Sequence, residues 1–240
     1  MMNRIIMIGA TAFVASAGAL FLQANQAAAQ TTTEQTATEQ TQAADTTEAM
    51  TDTATESAPQ AMPNDAGIYE MTLGPADAKV TVMEYASFTC PHCANFHKDT
   101  FKQLKANYID TGKVQFIYRD VYFDRPGLWA AMVARCDGPT RFFGIVDMLF
   151  SQQREWVSGS DPVAIADNLR KIGKVAGMSD EKLEACLTDA DKAKALFEWF
   201  EANAEADGIT STPSLVINGE AHGNMSYADL SEIIEKELAE

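Results

Sequence analysis

A Val- and Thr-rich run from Lys79 to Tyr85 (KVTVMEY) gives way, after a short loop, to Cys90-Pro91-His92-Cys93. Phe96, Phe101, Leu104 and Tyr108 then follow at helical spacing. A strand that is apolar on both parities belongs in a sheet covered on both faces. Pro91 fits the first turn of the helix, where a missing N–H costs nothing. Thr111-Gly112 closes the helix, and Val114 to Tyr118 supplies a second strand. Strand, helix and strand in this order predict a parallel pair joined by a right-handed crossover, and therefore an α/β fold.

Downstream, from about 126 to 206, helical patterns replace strands. Leu128 to Cys136, Phe142 to Gln153, Val163 to Val175, and the stretch from Asp180 behind the N-cap Ser179 read as helices of an insert. Strand character returns at Ser214 to Ile217, a turn is expected at Asn218-Gly219, and Ser226 opens a closing helix through Leu230, Ile233, Ile234 and Leu238.

The first 66 residues contribute no core. Arg4 precedes an uncharged run from Ile5 to Leu22 that ends near Ala27-Ala28-Ala29. This pattern predicts a signal peptide over 1–29, cleaved before Gln30; an uncleaved anchor is the alternative. Residues 30–66 hold 11 Thr, 8 Ala, 5 Gln and seven acids, with no Lys, Arg, Leu, Ile, Val or aromatic residue. Nothing there can be buried to offset the entropy of folding, so a disordered acidic tether is expected. The remainder, 67–240, carries 17 basic and 27 acidic residues, net −10. That sign excludes a nucleic-acid partner, because such binding depends on cations that neutralise phosphates.

The chemistry concentrates at Cys90-x-x-Cys93. A cysteine at a helix N-terminus faces free N–H groups and the positive end of the helix dipole, which favour thiolate over thiol. Cys90 is thus the expected reactive sulfur, and Cys93, one turn deeper, the resolving thiol. A stabilised thiolate stabilises the reduced form and makes the disulfide oxidising. Between the two, Pro91 stiffens the turn, and His92 adds positive charge when protonated. Two other readings stay open on the residues alone: a structural disulfide, or a soft-metal site formed by Cys90, Cys93 and His97.

The stretch Glu84-Tyr85-Ala86-Ser87-Phe88-Thr89-Cys90-Pro91-His92-Cys93, together with Tyr118-Arg119-Asp120 and a Thr212-Pro213 pair just ahead of Leu-Val-Ile-Asn-Gly, resembles the DsbA-like thiol-disulfide oxidoreductases of the thioredoxin superfamily. The likeness spans about 67–240 and implies a thioredoxin fold with an inserted helical domain. It implies that Thr212-Pro213 is a cis-proline pair that receives an extended substrate, consistent with the near-restriction of cis peptides to X-Pro bonds. It also implies that Glu84 is a buried acid that relays a proton to or from Cys93, a role that a burial-raised pKa would suit.

Cys136 and Cys186 lack redox spacing and, in an oxidising compartment, are expected to pair and staple the insert; a regulatory role for that bond is a further possibility. The resulting expectation is a monomeric periplasmic dithiol oxidase without cofactor or metal. Reduced exported proteins would be its substrates, and a membrane quinone reductase resembling DsbB would reoxidise it. The competing expectations are a disulfide isomerase or reductase, since family isomerases often carry Thr where Thr212 stands, and a copper-handling protein.

Overall fold

The computed structural model describes residues 62–240; the expected signal peptide and nearly all of the expected tether lie outside the described residues. A five-stranded mixed sheet organises the fold in the order β1-β3-β2-β4-β5. Its strands are β1 (Met71–Leu73), β2 (Val80–Ala86), β3 (Val114–Asp120), β4 (Ser214–Ile217) and β5 (Glu220–His222). Only β2 and β3 run parallel, in register from Val80 opposite Val114 to Ala86 opposite Asp120; every other pairing is antiparallel.

Between β2 and β3 the chain forms α1 (Pro91–Phe96), a π-helical segment His97–Phe101, α2 (Lys102–Leu104) and a second π-helical segment Lys105–Ile109. Such widened turns recur at functional positions, and the first of them carries His97. The helix stops two residues earlier than Thr111-Gly112 suggested, and Gly112 takes the positive φ of the reversal. Gly74, between β1 and β2, also has positive φ, and a Cβ there would collide with the Val114 carbonyl oxygen, so only glycine fits.

The insert between β3 and β4 is entirely helical: α3 (Arg125–Arg135), α4 (Pro139–Ser151), α5 (Gln153–Trp156), α6 (Pro162–Val175), α7 (Asp180–Leu187) and α8 (Ala190–Ala206). Side chains of Asp124, Asp161, Ser179 and Asp189 cap α3, α6, α7 and α8 by accepting from free N–H groups of the first turn. Ser226 caps the closing helix α9 (Tyr227–Ala239) in the same way. Sequence patterning misplaced one break: the single helix expected over Phe142 to Gln153 divides at Gln152 into α4 and α5. Two edge strands, β1 and β5, were not foreseen, because three residues are too few for alternation to register.

Sheet and insert share one apolar core. Phe88 packs on Tyr118 and Phe150, Tyr118 meets Phe142 edge-on, and Phe101 lies against Phe116. At the end of β3, fully buried Asp120 accepts from Arg135 Nε of α3 at 2.6 Å. Arg135 also donates to the Tyr69 carbonyl and lies over the rings of Phe142 and Trp199. Cys136 and Cys186 form a disulfide that ties the end of α3 to α7. Among the described residues no helix is long and apolar enough to cross a membrane.

Candidate active site

The parallel β2-β3 pair ends at one rim of the sheet, and the loop leaving β2 delivers Cys90 to the first turn of α1 as its N-cap residue, with Pro91 next. Cys90 and Cys93 are free thiols, Cys90 retaining 8 % exposure and Cys93 none. The Cys90 thiol donates to the Thr212 carbonyl at 3.5 Å. Thr212–Pro213 is the cis peptide bond of the described residues and leads directly into β4, which pairs with β2. Residues 122 positions apart in sequence thus meet at one sulfur.

The two thiols differ sharply in acidity. Cys90 is lowered from 9.0 to about 5, foremost by the hydrogen bond from the Cys93 thiol. Partial burial opposes the shift, and the side chain of Thr212 and the backbone amides of Cys93 and His92 assist it. His92 therefore contributes through its amide, while its side chain, like Pro91, is exposed to solvent. Cys93 is held far above the ordinary thiol range, first by burial, then by the hydrogen bond it gives Cys90 and by the negative charge of Glu84. One sulfur is a thiolate at neutral pH and its neighbour a protonated thiol.

Glu84 lies on β2 beneath this pair with no exposed surface. Its Oε2 is 2.8 Å from His97 Nε2. His97 follows Cys93 by four residues, which places both on the same side of the helix. With its imidazole paired to Glu84, His97 does not join Cys90 and Cys93 in a ligand set. No group of three potential metal ligands occurs among the described residues.

The sequence offered no sign of Gln153. Its buried amide donates to the carbonyls of Phe88 at 2.7 Å and Cys90 at 2.9 Å, fastening the loop that carries Cys90 to α5 of the insert. No local pattern reveals a contact spanning 63 residues. The His97–Glu84 pairing did leave a trace, the i, i+4 spacing from Cys93 to His97.

A family model described as thioredoxin matches residues 65–236. A putative protein-disulfide oxidoreductase of Rickettsia bellii is 34% identical over 173 residues, covering 71% of this chain and 65% of the relative. The chain thus spans slightly less than two thirds of the length of the rickettsial relatives it matches. Disulfide bond formation protein D of Bacillus subtilis is 30% identical over 182 residues, covering 69% of this chain and 76% of that protein. Among solved structures, alpha-DsbA1 of Wolbachia pipientis superposes with a TM-score of 0.64 at 26% identity, covering 71% of this chain and 91% of that one.

Proposed function

The chain belongs to the DsbA-like thiol-disulfide oxidoreductases of the thioredoxin superfamily, and from that premise we propose that it is an extracytoplasmic dithiol oxidase that transfers the Cys90–Cys93 disulfide to reduced exported proteins. The observation that carries the reading is the pair of opposed thiols: Cys90 with a pKa of about 5 beside a Cys93 held far above the usual range. A sulfur with so acidic a thiol is a good leaving group, and stabilising its thiolate makes the disulfide a strong oxidant.

In the forward direction a substrate thiolate attacks Cys90 Sγ of the disulfide. The Cys90–Cys93 bond breaks, and Cys93 departs with the electron pair and takes up a proton by way of Glu84. The second substrate thiolate then attacks the substrate sulfur of the mixed disulfide and expels Cys90 as thiolate. The substrate has lost two electrons and the pair has gained two. A membrane quinone reductase resembling DsbB would withdraw them. Thr212 and cis Pro213, beside Cys90, would present backbone groups to the extended substrate. Residues 1–29 would direct export, 30–66 would act as the tether, and the chain would work as a monomer.

One observation favours a second reading: a threonine precedes the cis-proline and contacts Cys90. This would suit an isomerase or reductase maintained in the reduced state. Both are tested by supplying the oxidised chain, in amounts stoichiometric with the thiols to be paired, to a reduced, unfolded disulfide protein, and catalytic amounts of the reduced chain to a scrambled one. Oxidase function requires that the oxidised chain restore activity to the reduced substrate and that Cys90→Ala abolish this; Cys93→Ala should trap a mixed disulfide between Cys90 and the scrambled substrate. Rescue of the scrambled substrate alone would replace the oxidase reading with the isomerase one.

A further inference from the structure

Buried beneath the reactive pair is a couple that thiol chemistry alone does not need. Glu84 has no exposed surface and His97 has 5 %, and the two are joined at 2.8 Å. Glu84 Oε1 is buried without a hydrogen-bond partner among the described residues. A buried carboxyl oxygen without a partner is costly, and its free lone pairs can accept a proton. The Tyr118 hydroxyl, from β3, is a second buried polar atom without a partner in the same cluster, and its ring meets His97 edge-on.

Cys93 must gain or lose a proton whenever the disulfide opens or closes, yet it has no contact with solvent. His97 does: its edge lines a groove of about 480 Å³ beside α1, which Phe150 and Gln153 also line. Ionisable side chains bordering that groove are Lys98 and Lys102 from the helix itself, Asp147 from α4, and Arg154 and Glu155 from α5. Inside, the groups facing the couple are Cys93 and Tyr118.

We propose that His97 completes a proton path from Cys93 through Glu84 to the groove, acting as the positioning and exit residue for the buried carboxylate. The inference rests on the reading of Glu84 as the proton relay and adds to it the route by which the proton reaches water. As the disulfide forms from a Cys90 mixed disulfide, the Cys93 S–H proton moves to Glu84. The Cys93 thiolate attacks Cys90 Sγ, the Cys90–Cys93 bond forms, and the bond to the outer sulfur breaks, releasing that thiolate with its electron pair. Glu84 receives the Cys93 proton on the unpartnered Oε1, the proton already shared between Oε2 and His97 Nε2 shifts onto the imidazole, and His97 gives up its Nδ1 proton to groove water. When the disulfide is opened, the path runs in reverse.

The test uses the full chain, reduced and mixed with an aromatic disulfide whose thiolate is coloured. The first burst of colour reports attack by Cys90 and the second reports attack by Cys93 on the mixed disulfide. His97→Gln retains a hydrogen-bonding amide but cannot carry the proton. It is expected to slow the second phase at neutral pH by about tenfold or more, to flatten its pH profile, and to leave the first phase unchanged. His97→Ala opens the path to the groove, and free imidazole is expected to restore the second phase in a saturable way.

A second phase in His97→Gln within twofold of the parent at every pH overturns the proposal. So does a slowed phase that keeps the parent's pH profile, which would mark a purely structural role. Should His97→Ala not fold, the His97→Gln profile decides alone. Glu84→Gln separates the two layers. A normal second phase there removes the Glu84 relay itself, whereas a slow phase there with a normal one in His97→Gln removes only the exit route.

Discussion

Lowering the pH across the Cys90 titration should weaken the reduced protein and leave the oxidised protein untouched by this group. Cys90 ionises at about 5 in the folded reduced chain, against an ordinary value of 9.0. A depressed folded-state pKa gives stability that is complete above the unfolded value and is lost as pH falls through the folded one. At about pH 7 two of those four units have accrued, worth about 2.7 kcal/mol. Cys93, shifted upward, opposes this only above its unfolded value near 9.0 and so does not intrude below about pH 8. Urea unfolding of reduced and oxidised chain at about pH 4 and about pH 7 isolates the effect, because carboxylates and histidines common to both forms cancel in the difference. With the Cys136–Cys186 disulfide kept in both, the stability of the reduced form relative to the oxidised form should rise by about 2 to 3 kcal/mol between those pH values, and reduced Cys90→Ser should fall short of the reduced parent by that same rise. By linkage the same free energy makes the disulfide about 60 mV more oxidising at about pH 7 than a pair with an ordinary thiol. A difference that stays flat with pH would refute the assignment of the thiolate to Cys90.

Further outcomes are expected elsewhere in the molecule. Asp120→Asn, which leaves Arg135 buried without its anion, should cost about 3 to 5 kcal/mol in chemical denaturation, and a paired apolar replacement of both residues should recover most of it. Replacing Cys136 and Cys186 by serine releases a link across 50 residues and should lower stability by about 4 kcal/mol while Cys90 still reacts with the coloured disulfide. Gln153→Leu leaves the Phe88 and Cys90 carbonyls without their donor and should cost about 2 kcal/mol, with faster hydrogen exchange confined to the active-site loop. Gly74→Ala forces a collision with the Val114 carbonyl at positive φ and should destabilise the chain by more than about 1 kcal/mol, read as a fall in melting temperature.

The elements that position the site were legible because their signals are local. Val80–Ala86 announces itself by β-branched residues, Pro91 by its tolerance of only the first helical turn, and Ser179 and Ser226 by their caps. Short edge strands were not, since Met71–Leu73 and Glu220–His222 earn their pairing from the strands beside them. The same division runs through the site. Cys90, Cys93 and the Thr212-Pro213 pair carry a spacing or a residue type that points to chemistry. Gln153 acts through a contact that only the folded insert creates. The raised acidity of Cys90 also has a different leading cause from the one the sequence suggested. The helix terminus and a protonated His92 side chain were the expected contributors, whereas the buried thiol of Cys93 is foremost and His92 serves through its amide.

Whether this pair donates disulfides is decided by the equilibrium potential of Cys90–Cys93. The chain is equilibrated in glutathione buffers, the thiols are trapped, and Cys90 and Cys93 are resolved from Cys136 and Cys186 by peptide mass. A potential clearly more oxidising than about −180 mV is the expected result. A value near about −270 mV, where thioredoxin lies, would make the pair a reductant and rule out disulfide donation.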